Sequence, residues 1–242
     1  MRNINSLSFP AAERIRRVSE SLFTSAETSD DPPAMWKLAQ TFCRIVTTCA
    51  FDLKVYGEEN VPERGGVLLV ANHQSYLDPV LIGVRLPRQL SYMAKSELFE
   101  NPRAARLLRW LHSFPVHQGT ADVGAVRETI VRLRSGRALA IFPEGSRTSD
   151  GQMLPMQRGV ALVIRRAKVP VIPVAIFGAY EAWPITEPMF RPAHIRVWYG
   201  KPMELAQLPE PEILRIIDRS LRGMFRTLKT SETPPGDRIT AQ

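Results

Sequence analysis

The 242-residue chain predicts an α/β domain: a mixed, largely parallel sheet flanked by helices, preceded by an N-terminal two-helix element. Three observations lead there. Short apolar runs recur along most of the chain. Amphipathic helical patterns separate them. The runs are near-continuous rather than alternating, as expected of strands covered on both faces.

Residues 11–23 set Arg14, Arg16 and Arg17 among Ile15, Val18 and Leu22, a short basic amphipathic pattern. The polar stretch 24–33, with its double proline, reads as a joint. Residues 35–53 then space Met35, Leu38, Phe42, Ile45 and Cys49 by threes and fours. Lys37, Gln40, Arg44 and Thr47 keep the same rhythm on the other face. This stripe either packs on the domain or lies in the plane of a membrane, with Trp36 and the basic residues at headgroup depth.

Strands are expected at 53–56, 67–71, 90–94, 114–116, 138–142, 171–177 and 195–199. A helix over 121–135 carries Val123, Val126, Ile130 and Leu133 on one face and stops at Gly136. A second, over 210–225, carries Ile213, Ile216, Ile217, Leu221 and Met224 in a similar stripe. The implied organisation is 1–52 for membrane-associating amphipathic helices, 53–229 for the α/β domain, and 230–242 for a polar tail expected to be disordered.

Composition narrows the partners. A net charge of +8 calls for an anionic one. Nucleic acid fits poorly, because the arginines are scattered, aromatic residues are only 8%, and neither an RNP-like motif nor a zinc-finger spacing occurs. Cys43 and Cys49 share one helical segment, about 9 Å apart along its axis, too far for a disulfide. Four histidines and two cysteines without a close ligand pair argue against a structural metal. The amino terminus lacks the apolar core of a signal peptide. A spanning helix needs ~20 mostly apolar residues, and Lys37 and Arg44 interrupt the best stretch.

Two polar turns carry the chemistry. The run Val67-Leu68-Leu69-Val70-Ala71 opens into Asn72-His73-Gln74-Ser75-Tyr76-Leu77-Asp78-Pro79. On one continuous helix a five-residue spacing would put His73 and Asp78 on different faces. Pro79 changes this: it favours extended geometry at Asp78 and starts a helix, here expected to run to about Arg85 with Asp78 as its cap. The turn can then fold the carboxylate onto the imidazole, fixing its tautomer and leaving the other nitrogen to take a proton. The plainer alternative is a cap and a surface histidine. The second turn, Pro143-Glu144-Gly145-Ser146-Arg147-Thr148, again follows an apolar run. Ligand sites in parallel α/β sheets lie outside the carboxyl ends of strands, so both turns open on one edge. Gly145 permits close backbone approach, and Arg147 offers a fork suited to phosphate oxygens.

In this order and about seventy residues apart, the blocks Asn72-His73…Asp78 and Phe142-Pro143-Glu144-Gly145-Ser146-Arg147 resemble the NHxxxxD and FPEGxR motifs of the glycerolipid acyltransferases, particularly the 1-acylglycerol-3-phosphate acyltransferases (PlsC-like). Tyr92 to Phe99, Phe114 to Gln118 and Val169 to Pro173 resemble further family blocks, and the similarity covers roughly residues 55–201. The resemblance implies the glycerolipid acyltransferase fold. It also implies transfer of a fatty acyl group from acyl-CoA or an acyl carrier protein thioester (acyl-ACP) to a lysolipid hydroxyl. His73 would be the base and Asp78 its support; Glu144, Gly145, Ser146 and Arg147 would bind the acceptor, and Lys95 would add charge. No acyl-enzyme and no cofactor beyond the co-substrate are implied, and no nucleic acid. The expected location is monotopic or peripheral on the cytoplasmic face of a membrane.

One departure stands out. Where the family block ends Asp-Arg, this chain has His117-Gln118. A neutral amide replaces a guanidinium, losing charge and fork. Either Lys95 or Arg158 compensates, or the acceptor is another lysolipid, such as a lyso-ornithine lipid or a lysophospholipid. A thioester hydrolase, with His73 activating water, is the competing enzyme class.

Overall fold

The computed structural model describes residues 34–117 and 122–230. The first amphipathic pattern, Gln118 and the tail from residue 231 lie outside them.

The element order is α1 (Ala34–Phe51), β1 (Lys54–Tyr56), β2 (Val67–Ala71), α2 (Asp78–Gly83), β3 (Leu90–Lys95), α3 (Pro102–Trp110), β4 (Ser113–Val116), α4 (Val123–Arg134), β5 (Ala138–Ile141), α5 (Gly159–Ala167), β6 (Val171–Phe177), α6 (Ala179–Ala182), β7 (Arg196–Tyr199) and α7 (Glu210–Thr230). All seven expected strands are present, with ends moved by one residue at most. They form one sheet in the order β1-β7-β6-β2-β5-β3-β4. Every pairing is parallel except β6 with β7, so the sheet is mixed and largely parallel.

β2, β5 and β6 are nearly all fully buried, which accounts for their unbroken apolar character. On one face of the sheet Leu68, Val70, Leu139 and Val171 pack against α4, α5 and α7. On the other, Leu69, Ala140, Ile172 and Val174 meet α2, α6 and Phe51 at the end of α1. β2 lies between β5 and β6, so the chain crosses over β2 on going from one to the other. In α/β sheets such a reversal marks the carboxyl ends of the strands as the place where ligands bind.

Helix limits follow their caps. α4 begins at Val123 because the Asp122 carboxylate accepts the Ala125 N–H, and Gly136 follows its end at φ 86°. α7 continues to Thr230, five residues beyond the expected limit, with Leu228 still buried. α3 was not anticipated. It starts at an Asn-Pro step, where Asn101 Oδ1 accepts the N–H groups of Arg103 and Ala104.

α1 is turned against the usual sense. Its apolar stripe faces outward, with Met35 65%, Leu38 68%, Phe42 67% and Ile45 58% exposed. Two of its polar residues face the domain: Gln40 donates to the carbonyls of Gly83 and Leu86, and Thr47 is buried, whereas Lys37 and Arg44 are exposed. Trp36 does not join the outward stripe as expected. It is half-buried, its ring centroid 5.7 Å from that of Trp110 on α3. No helix among the described residues is long and apolar enough to cross a membrane.

Candidate active site

Beyond Ala71 the main chain leaves the sheet, and Asn72 continues the ladder with its side chain. Its Nδ2 donates to Ile176 O at 2.9 Å, and its Oδ1 accepts from Ile176 N–H at 2.8 Å. A carboxamide supplies both donor and acceptor. His73 is thereby referenced to β6. The turn after β5 holds it from the other side. Glu144 Oε1 accepts the His73 N–H at 2.8 Å, and the Thr148 N–H donates to His73 O at 3.1 Å.

The imidazole is then placed by two contacts. Nδ1 lies 2.7 Å from Asp78 Oδ2, and the ring stacks on Phe142 at 3.9 Å and 16°. With Nδ1–H donated to the carboxylate, Nε2 is the nitrogen left to act as a base. The side chain is 17% exposed, enough for a small polar group to reach it.

Asp78 is fully buried, and its Oδ2 also accepts the N–H groups of Gln74 at 2.6 Å and Ser75 at 2.8 Å. The helix starts at Asp78 with Pro79 behind it, but Asp78 is not its cap. Leu77 holds that position, and the carboxylate turns back into the preceding turn instead. That is how a five-residue spacing brings acid and imidazole together: the oxygen that gathers the turn's N–H groups also meets the ring. Asp78 Oδ1 is buried without a hydrogen-bond partner.

Glu144 is 4% exposed, and its second oxygen accepts the Leu154 N–H at 2.7 Å. Burial pushes this carboxyl up to about 7; the two N–H bonds oppose the rise, and the neighbouring Asp78 carboxylate adds to it. Both oxygens therefore serve main-chain donors, which makes Glu144 a strut between the two motif turns. Gly145 sits at φ 75° and donates its N–H to Phe142 O, a tight turn that suits a residue without Cβ. Gly145 and Ser146 are exposed at the rim.

Arg147 lies over the Tyr76 ring, its guanidinium carbon 3.7 Å from the centroid. None of the ion pairs among the described residues involves it. A guanidinium stacked on an aromatic face can still offer its donors to an anion. Lys95 ends β3 at the same edge of the sheet, exposed and in register with Val116. Two strand spacings, about 10 Å, separate it from β2. Arg158 is exposed just ahead of α5. At the end of β4, His117 is 73% exposed, and its N–H and Nδ1 both meet Asp122 Oδ2. Hydrogen bonds from His117 and Ala125 hold that carboxyl down at about 2.

Several residues that shape the site carry no chemical signature of their own. Asn72, Phe142 and Tyr76 are among them, and all three lie inside the motif blocks without an evident role. Ser75 is buried and donates its hydroxyl to Trp183 O at 2.7 Å, so it braces the turn.

The geometry agrees with what the chain is similar to. A family model described as "Acyltransferase" matches residues 52–177, which include both motif turns. A 1-acyl-sn-glycerol-3-phosphate acyltransferase of Bacillus subtilis is 29% identical over 199 residues, covering 81% of this chain and 97% of the relative. The enzyme of that name from Saccharomyces cerevisiae is 30% identical over 209 residues, 81% of this chain and 66% of the relative. The crystal structure of the 1-acyl-sn-glycerophosphate (LPA) acyltransferase PlsC from Thermotoga maritima superposes with a TM-score of 0.70 at 28% identity, covering 81% of this chain and 80% of that one. The matched segment spans more than half of the chain and holds the complete His73–Asp78 and Glu144–Arg147 pair of turns, and on those grounds the protein belongs to the acyltransferase family as a PlsC-like enzyme.

Proposed function

We propose that this enzyme transfers a fatty acyl group from acyl-CoA or acyl-ACP to the free hydroxyl of 1-acyl-sn-glycerol-3-phosphate, giving phosphatidic acid. The observation that carries the reading is the 2.7 Å contact between His73 Nδ1 and a fully buried Asp78, together with a guanidinium that forms no ion pair among the described residues. His73 Nε2 takes the proton as the acceptor oxygen attacks the thioester carbonyl carbon. Asp78 balances the imidazolium that results. The tetrahedral intermediate collapses, the C–S bond breaks, and the imidazolium returns its proton to the thiolate. The products are the new ester and a free thiol, with no acyl group on the protein.

Arg147 binds the acceptor phosphate, with Gly145 and Ser146 forming the rim it approaches and Lys95 adding charge from β3. Glu144 acts behind them on the main chain of His73. One further feature bears on where the reaction happens. The outward apolar stripe of α1, with Lys37 and Arg44 beside it, suits in-plane contact with an anionic bilayer. A membrane-associated site on the cytoplasmic face would meet the lipid acceptor and the water-soluble donor together.

Gln118 in place of the family arginine favours one variant of this reading, in which the acceptor is a different lysolipid. The test is acceptor-dependent thiol release, with mass analysis of the lipid formed. Thiol release that requires lysophosphatidate and vanishes in His73→Ala supports the proposal. Release independent of any acceptor would instead identify a thioester hydrolase, and formation of another diacyl lipid in preference would reassign the acceptor.

A further inference from the structure

α7 carries Arg215, Arg219, Arg222, Arg226 and Lys229, all exposed. At 100° per residue these five fall within an arc of about 80°, in a row about 21 Å long. Asp218 pairs with Arg222 at 2.9 Å. Arg219, Arg226 and Lys229 form no ion pair among the described residues.

We propose that this stripe docks an acidic carrier protein that presents the acyl thioester to His73. The proposal rests on the acyl-transfer reading and deepens it by naming the kind of donor. Three observations select that partner. First, the exposed large apolar residues of the helices lie elsewhere, on α1 and α3 among others, and α7 contributes none. Cations interleaved with exposed apolar side chains suit a bilayer, as on α3, where Arg103 and Arg106 share a face with Leu107 and Trp110; cations alone suit a polar, anionic surface. Second, α7 packs on one face of the sheet, whereas the end of α1 packs on the other. With the apolar stripe of α1 on lipid, α7 faces the aqueous side. Third, the stripe reaches the site. Arg222 Nη2 donates to Met153 O, and the next residue, Leu154, holds Glu144. A partner seated on α7 is therefore beside the turns that present His73 and Arg147, within range of a long flexible thioester arm. The phosphates of a free nucleotide would need a compact cluster of cations, not a row of this length.

The test uses the full chain with Arg219→Gln, Arg226→Gln and Lys229→Gln combined, which removes charge while keeping helix-forming side chains. Rates are measured with one acceptor and two donors of equal chain length, hexadecanoyl acyl carrier protein and hexadecanoyl coenzyme A. The expected result is a fall of about tenfold or more in kcat/KM for the carrier-linked donor, with the coenzyme A value within about twofold of the parent and vesicle sedimentation unchanged. An equal fall with both donors, no fall with the carrier, or loss of vesicle binding would overturn it. A parent enzyme that accepts coenzyme A alone overturns the carrier and leaves acyl transfer standing. A parent that transfers from neither donor removes both readings.

Discussion

Replacing Asp78 with asparagine isolates the charge of the pair from its geometry. All three hydrogen bonds to Asp78 end on Oδ2, whereas Oδ1 is buried and unpartnered. The N–H groups of Gln74 and Ser75 require an acceptor, so the asparagine carbonyl takes the Oδ2 position and its NH2 the vacant one. His73 keeps its orientation and can still donate from Nδ1. What disappears is the attraction between the carboxylate and the imidazolium formed during proton transfer. For unit charges about 4 Å apart at an effective dielectric near 20, that is about 4 kcal/mol. At about 1.4 kcal/mol per decade this lowers kcat by about a thousandfold. The charge develops only during reaction, so the acceptor KM should hardly move. Steady-state thiol release at saturating acceptor gives kcat, and a thermal melt shows that the variant is folded. A fall of less than about tenfold in a folded variant would refute the reasoning and leave Asp78 as a structural acceptor for the turn.

Three other outcomes are expected. Glu144 is raised from an ordinary 4.5 to about 7 in the folded protein, so between those values the native state holds a proton that the unfolded chain has released, and stability falls as pH rises through that window. Glu144→Gln removes this titration, so variant-minus-parent stability should climb by up to about 3 kcal/mol from pH 4.5 to pH 7 in denaturant titrations; a flat difference would contradict it. Arg147→Ala should raise the lysophosphatidate KM by about 10- to 100-fold, the equivalent of one or two charge-assisted bonds, and leave transfer to an uncharged monoacylglycerol unaltered. Leu38→Glu with Phe42→Glu should reduce sedimentation with anionic vesicles by about tenfold or more without lowering Tm, because both side chains are about two-thirds exposed.

The sheet was legible because strands buried on both faces must be apolar throughout, and seven such runs stand out against polar turns. The paired motif turns were legible for a related reason: polar residues at strand ends have to be met by something. Direction was harder. The period of α1 revealed a stripe but not which way it points, since that depends on Gln40 meeting carbonyls at Gly83 and Leu86 and on Trp36 meeting Trp110. Pro79 marked the helix start to within one residue, yet the destination of the Asp78 carboxylate depends on the N–H groups of a turn whose shape no local pattern specifies. Glu144 is the clearest case. Its partner is a main-chain N–H 71 positions away, and main-chain donors leave no trace in residue identity. α3 escaped notice because its nine residues include three arginines and bury only Ala105, so no apolar stripe marks it as packing on the core.

The holding of His73 by its main chain has a consequence for how the enzyme should fail. Its N–H and C=O are both engaged, the neighbouring Asn72 is tied to β6, and Asp78 and Phe142 restrict the two remaining torsions of the ring. The conformational freedom of the base is therefore surrendered when the sheet assembles, not when a ligand arrives. On warming, such a site has no separate, softer transition of its own: the proportion of competent enzyme and the proportion of intact sheet are the same quantity.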